Sequence, residues 1–160
     1  MITRLLRPGE EEVIRQIYAR LSPRTRYLRF FSMMPALPDG LVARLADVDG
    51  CRRVALVVEE DVCGRVEPVA LASFGAIDEA TVELGLVVTD EWQNRRIGTT
   101  LAARLLDAAE ACGFHRFVAT IHTHNTPIRR LLHRVGVVVS SRFEAGTSEF
   151  TFVRRSSAAV

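Results

Sequence analysis

The stretch VELGLVVTDEWQNRRIGTTLAARLL, residues 82–106, decides how this chain folds. Val82 to Val88 is an apolar run with the length of a strand. Thr89 to Arg95 is polar and turn-like. From Ile97 onward Ile97, Leu101, Leu105 and Ala108 recur at helical spacing, and Gly113 supplies a C-terminal stop. A strand therefore runs into a short turn, and a helix begins near Arg96. The first N–H groups of such a helix have no partner within it and point back toward the strand end. With the helix dipole they make an anion site. Arg95 and Arg96 add fixed positive charge there, and Gly98 lets a ligand or the neighbouring strand approach closely. The turn suits a phosphate or pyrophosphate.

Outward from this segment, the period of the sequence changes twice. On the N-terminal side, Ile2–Leu6 reads as a short strand. Pro8-Gly9 breaks it, and Val13, Ile17 and Leu21 mark a helix behind the acidic first turn Glu10–Glu12. Ser22-Pro23 is a cap followed by a first-turn proline, so a second helix carries Arg24, Arg26 and Arg29 among aromatic residues. A further helical piece covers Leu41–Leu45. Strands are expected at Arg53–Val58, Val66–Ile77 and Ala80–Val88, with turn signals at the spacing of an antiparallel meander. On the C-terminal side, Phe117–Ile121 is a strand and Asn125-Thr126-Pro127 opens a helix that ends at Gly136. Val137–Val139 and Phe150–Val153 are strands around Ala145-Gly146-Thr147. The strand–helix–strand unit at 82–121 demands one parallel pair within an otherwise antiparallel sheet. The expected fold is a mixed α/β (α+β) domain over residues 1–153, with a frayed tail at 154–160.

Composition narrows the function classes. The chain has 160 residues, 48% hydrophobic and 25% charged, the balance of a soluble globular domain. Its net charge of +2 is too small for a nucleic-acid-coating protein. All 21 basic residues are arginine, so no side chain offers a primary amine. The cysteines at 51, 63 and 112 fit neither a metal motif nor a disulfide framework, and Cys112 reads as a small core residue within a helix. His122 and His124 share a strand face; they are half of a metal site or two polar residues at a strand end, and no metal is expected. Arg4, Arg7 and Glu10–Glu12 interrupt any apolar leader, and no stretch reaches the roughly 20 residues of a membrane span. The expected location is the cytoplasm, with no nucleic-acid or membrane partner.

The segment 82–106 resembles the acetyl-CoA motif of the GNAT superfamily of N-acetyltransferases. That motif is an apolar strand, an acidic-aromatic-Gln turn, and Gln/Arg-x-x-Gly-x-Gly/Ala opening a helix. Gln93 stands at its first position and Gly98 at its last. The later NTPIRRLLHRVGV, residues 125–137, resembles the family's Asn-led helix ending in Gly-Phe, with Val137 in place of phenylalanine. The resemblance implies a sheet of about seven strands, mostly antiparallel, with helices on both faces. It implies acetyl-CoA as the acyl donor, direct attack by an amine, and no metal.

The resemblance also distributes roles. It places the pantetheine arm beside Leu86, Val87 and Val88, where a main-chain N–H near Val87 or Val88 polarises the thioester carbonyl. The main chain of Gln93, Asn94, Arg95, Arg96, Ile97, Gly98 and Thr99, with Thr100, would cradle the pyrophosphate. Asn125 would hydrogen-bond the pantetheine. Arg96 replaces the middle glycine of the motif; with ordinary helical angles it still offers its N–H, and its side chain either meets a cofactor phosphate or weakens binding. Leu132 stands where many members have a tyrosine that reprotonates the leaving thiolate. A thiol pKa of about 8.5 lets the sulfur leave as the anion.

A lysine-like amine has a pKa of about 10.4 and arrives protonated, so the reaction needs a proton acceptor. Glu83 is the only carboxylate in the strand that enters the turn and shares a face with Gly85 and Val87. Partial burial is expected to raise its pKa toward the working range. Lysine acetyltransferase relatives carry a catalytic glutamate at this offset, ten residues before Gln93. The alternative is a surface glutamate. The segment from Leu21 to Phe31 resembles a helix of bacterial protein-lysine acetyltransferases. Its arginines either line the acceptor cleft or form a solvated face paired with Glu10–Glu12. The expected function is acetylation of a primary amine, a protein lysine or a small molecule. The rival outside enzymes is a catalytically weak CoA-binding module.

Overall fold

The computed structural model describes residues 1–155. Its elements run β1 (Ile2–Leu5), α1 (Glu11–Ala19), α2 (Pro23–Phe30), α3 (Asp39–Ala46), β2 (Arg53–Val62), β3 (Arg65–Ala76), β4 (Thr81–Val88), α4 (Ile97–Ala111), β5 (Arg116–His122), α5 (Thr126–Val135), β6 (Gly136–Glu144) and β7 (Thr147–Arg154). The strands form one seven-stranded sheet in the order β1-β2-β3-β4-β5-β7-β6. Only β4 and β5 pair in parallel; the other pairs are antiparallel. This is the mixed, mostly antiparallel α/β sheet expected, with helices on both faces.

The central strands are buried on both sides, so they read as apolar runs rather than alternating ones. On β2, Val54, Leu56 and Val58 join the core beneath α4 and α5, while Ala55 and Val57 join the core beneath α1 and α3. Helix α1 buries Ile14, Ile17 and Tyr18 on one stripe. Helix α2 starts as its sequence dictates: the Ser22 hydroxyl accepts from the Thr25 N–H at 3.2 Å, and Pro23 follows in the first turn. No residue of α2 is fully buried, so this helix is held at its ends and edges.

Three strands are longer than the sequence pattern indicates. β2 continues to Val62, where Cys63 and Gly64, with φ of 54° and 81°, make the two-residue turn into β3. A register shift at Val58/Glu59 lets Pro68 sit in β3, where a missing N–H costs least. β6 continues to Glu144 and β7 begins at Thr147, turning through Ala145 and Gly146 with φ of 49° and 81°. Ser140 to Glu144 are exposed on both faces and polar except for Phe143, so no alternation announced them.

The tail expectation is also corrected. Arg154 ends β7 and pairs with Asp107 and Glu110 of α4, while the Arg155 N–H donates to the Val135 carbonyl at 3.0 Å. Residues 156–160 lie outside the described residues. Cys112 caps α4 at its C-terminus and is half-exposed, rather than lying within the helix. Among the described residues no helix is long and apolar enough to cross a membrane.

Gly136 joins α5 to β6 at a close approach. A Cβ there would run into the Phe152 ring and lie 2.9 Å from the Val153 carbonyl oxygen. Gly136→Ala should lower unfolding free energy by about 2 kcal/mol through overpacking, read from urea denaturation. An unchanged midpoint would show that the β6–β7 hairpin yields at no cost.

Candidate active site

The site begins where β4 and β5 part. Their parallel ladder spans only Thr81↔Arg116, Val82↔Phe117 and Glu83↔Val118. β4 then continues to Val88, bonded to β3 alone, and β5 continues to His122, bonded to β7 alone. The β5-facing edge of Leu84–Val88 is therefore a row of main-chain groups without a strand partner. Beside it lies a cavity of about 520 Å³. Glu83, Leu84, Gly85 and Leu86 line it from β4, Ala119 to Ile121 from β5, and Asn125 and Leu132 from α5. An extended polar chain can complete β4 as an added strand there.

At the end of β4 the chain turns through a 3-10 segment, Asp90–Trp92, into α4. No side chain caps α4. Arg96, its N-cap, has φ 63° and ψ 9°, and Asn94 has φ 60°. The ordinary helical angles expected for Arg96 are therefore corrected: it is left-handed and Ile97 after it is helical. That alternation turns successive N–H groups into one concavity, an anion-binding nest at the positive end of a 15-residue helix. It also explains why a glycine would be at ease at position 96. Asn94, Arg95, Arg96 and Thr100 are exposed, while the Arg95 guanidinium lies 4.6 Å over the Trp92 ring.

Several expected ligand-facing residues have structural duties. The Gln93 side chain donates to the Val88 carbonyl at 3.0 Å, bracing the turn against its own strand. Gly98 is close to other protein groups: a Cβ there would stand 3.2 Å from Leu131 Cδ1 and 3.6 Å from Leu86 Cδ2. Of the two readings of Gly98, close helix–strand packing has these contacts. Asn125 is buried and caps α5, its Oδ1 accepting from the Ile128 N–H at 3.5 Å. Its Nδ2 has no hydrogen-bond partner among the described residues, and the residue lines the cavity.

Glu83 stands at the fork itself and lines the cavity. It is exposed although it pairs with Gly75 of β3 and Val118 of β5, so the burial expected of it is absent. Beyond it, Gly85 carries the guanidinium of Arg29. Sequence reasoning grouped Arg24, Arg26 and Arg29, but the structure separates them. Arg26 donates from Nε to the Tyr18 carbonyl at 3.2 Å and stacks on the Tyr18 ring, so it joins α2 to α1. Arg24 borders a shallow depression with His122, His124 and Arg129. Of these three only Arg29 lines the cavity, which Arg44 and Arg53 also border. Glu10 and Glu11 are paired with Arg4 and Arg15, not with α2. His122 and His124 stack with ring centroids 5.1 Å apart, and no group of three metal-ligating residues occurs among the described residues.

Asp90 is a positioning residue that the sequence reading passed over. Its carboxylate accepts from the Ser22 N–H at 2.9 Å, the Ser22 hydroxyl at 2.7 Å and the Thr25 hydroxyl at 2.8 Å. Burial alone would raise this carboxyl, but those Ser22 and Thr25 donors outweigh it and hold it below the usual carboxylate range. Asp90 thus fastens the start of α2 to the turn before α4. An acid three residues before Gln93 and a Ser-Pro cap were both visible, but nothing in sequence joins positions 68 residues apart.

Comparison with known proteins now bears on this geometry. The model of the acetyltransferase (GNAT) family matches residues 14–137. The chain belongs to that family. An acetyltransferase of Pseudomonas aeruginosa is 29% identical over 141 residues, covering 86% of this chain and 75% of its own length. The acetyltransferase Pat of Mycolicibacterium smegmatis is 29% identical over 131 residues; the match covers 82% of this chain and only 39% of Pat. Among solved structures, the GNAT domain of S. lividans PAT superposes with a TM-score of 0.82 at 22% identity, covering 94% of this chain and 89% of that one. YncA of Salmonella typhimurium, solved with acetyl-CoA, gives 0.67 at 22% identity, covering 100% and 96%. This GNAT chain therefore carries the family's sheet and, at Gln93–Gly98, its own variant of the turn.

Two outcomes follow from the turn. Arg96→Gly should raise unfolding free energy by about 1 kcal/mol, because a side chain in the left-handed region costs about that much; equal stability would mean that the arginine side chain offsets its strain. For Asp90, a depressed folded value means the contribution is present above the ordinary carboxylate pKa of about 3.9 and lost as pH falls through the folded value. Asp90→Ala should lose about 1 kcal/mol at pH 7. Its deficit relative to the native protein should shrink as acid carries the pH below the ordinary carboxylate range and through the folded value, followed by denaturant titration at several pH values.

Proposed function

We propose that this protein moves the acetyl group of acetyl-CoA to a primary amine, with Glu83 as the general base. The observation that carries the reading is the fork at Glu83: a cleft runs along an open strand edge with a carboxylate at its apex, and the same strand leads on to the uncapped start of α4. The acyl donor supplies a thioester carbonyl, an activated electrophile.

The chain's own groups account for the rest. The unpartnered edge of Leu86, Val87 and Val88 binds the amide groups of the pantetheine arm, and an N–H near Val87 or Val88 stabilises the developing oxyanion. The nest from Asn94 to Thr99 takes the pyrophosphate through main-chain N–H groups, with Thr100 and the Arg96 side chain at its rim. Asn125 offers its free Nδ2 to the same arm. Glu83 accepts the proton of the attacking amine, directly or through water, as the new C–N bond forms and the C–S bond breaks. The sulfur leaves as thiolate, since the buried Leu132 has no proton to give. No acyl-enzyme is required. The resemblance of Leu21–Phe31 to protein-lysine acetyltransferases makes a protein lysine one candidate acceptor.

A small-molecule acceptor is supported by a different observation. A methionine sulfoximine/methionine sulfone acetyltransferase of Salmonella typhimurium is 37% identical to this chain over 62 residues, 39% of this chain and 36% of that protein.

Glu83→Gln should lower kcat about 10²- to 10⁴-fold while acetyl-CoA affinity by calorimetry stays within a factor of two. Thiol release on mixing with amine acceptors gives the rate. An unchanged rate removes Glu83 from the mechanism. Binding of acetyl-CoA with no turnover on any amine makes the protein a binding module.

A further inference from the structure

Arg29 is the one cation that enters the cleft from α2, and its surroundings are unusual. Arg26 is engaged with carbonyls of α1, Arg20 with Glu67 at 2.8 Å, and Arg53 with Asp47 at 3.2 Å, while Arg44 lines the cavity from α3. Among the described residues Arg29 donates no hydrogen bond and forms no ion pair, although it is half-buried. It stacks 4.7 Å from the Phe30 ring centroid and lies flat on β4 at Gly85. A Cβ at Gly85 would be 2.7 Å from its Cζ and 3.2 Å from its Nε. Gly85 is therefore what allows the guanidinium to rest on the strand. Burial pulls its pKa down, to about 10, against an upward push from the Glu83 carboxylate, so it stays charged at neutral pH. A charged, partly desolvated guanidinium that feels Glu83 only from beyond hydrogen-bonding reach leaves its donors for something else to complete.

Glu83 and Gly85 share one face of β4, about 7 Å apart along the strand. The cleft thus presents a carboxylate, then a guanidinium, on adjacent pleats of one wall. That is the charge inverse of an amino acid, whose ammonium and carboxylate lie a few ångströms apart. Leu28, Phe31, Leu41 and Leu45 line the space next to the guanidinium and suit an apolar side chain, with Arg44, Asp47 and Arg53 on the same wall.

We propose that Arg29 binds a carboxylate of the acceptor, in the cleft where Glu83 meets its amine, and that the acceptor is a free amino acid. The assignment rests on Glu83 as the base and on the acetyl transfer proposed above. Arg29 then sets specificity through a forked pair of charged hydrogen bonds, which a lysine side chain on a protein surface does not supply beside its amine.

The test compares L-amino acids with their amides, which keep the amine and lose the carboxylate charge. Both are assayed by thiol release with the native protein, Arg29→Met and Arg29→Lys, alongside lysine-bearing peptides. The native protein should prefer acid to amide in kcat/KM by about 10- to 100-fold, the worth of a charged hydrogen bond. In Arg29→Met that ratio should fall to about one, and Arg29→Lys should restore part of it. Calorimetry with CoA present should show amino-acid binding that Arg29→Met abolishes. A native ratio near one, an equal loss on acid and amide in Arg29→Met, or turnover on peptides alone would overturn the assignment while leaving acetyl transfer intact. Absence of turnover on every amine would instead refute acetyl transfer, and calorimetry without amino-acid binding would refute the carboxylate site by itself.

Discussion

The parting of β4 from β5 after Glu83 and Val118 is the constraint on which the rest depends. A parallel pair buried in a sheet normally keeps its ladder, because unpaired main-chain groups in the interior cost free energy. Here the ladder stops after three pairs and the strand runs on for five residues with one side open. Everything useful sits along that opening: the carboxylate at its apex, the glycine that seats a guanidinium, and the start of α4 where the strand ends. The fork converts a feature of topology, one parallel crossover in an antiparallel sheet, into a slot shaped for an extended polar chain.

Much of this was legible in the residues. The strand–turn–helix order at 82–111 and the caps Ser22 and Asn125 follow from local chemistry that acts within a few positions. The parallel pair follows from the length of a crossover. What was hidden depends on partners far away in sequence. The outer half of β6 is exposed on both faces and polar except for Phe143, so no period betrays it or the start of β7 that pairs with it. The burial expected for Glu83 failed although strands flank it on both sides, because burial of its side chain depends on what packs over that face of the sheet, and there the cavity opens.

The turn at Gln93–Gly98 separates residue type from conformation. Gly98 and Gln93 read naturally as ligand-facing, yet Gly98 is spent on Leu131 and Leu86, and Gln93 on the Val88 carbonyl. Arg96 reads as a charge, yet its main chain carries the consequence: a left-handed N-cap that curls the N–H groups inward. A nest of this kind depends on φ and ψ alone, so an arginine can form it where a glycine would do so with less strain. The side chain is then an addition to the anion site and not a substitute for it.

The donor side and the acceptor side of the cleft are built from segments distant in sequence, and short polar side chains join them. Asp90 sits at the start of the nest and holds Ser22 and Thr25 of α2; Gln93 braces the same turn and reaches 3.5 Å from the Thr25 hydroxyl. Helix α2 has no fully buried residue of its own. Its placement, and with it the position of Arg29 over Gly85, relies on these polar ties and on Arg26 gripping the Tyr18 and Ala19 carbonyls. A helix attached in this way can be set accurately without the large apolar interface that would fill the cleft. The same ties join the turn before α4 to the helix that carries Arg29, so in the proposed reaction the two ends of the cleft share one set of polar contacts.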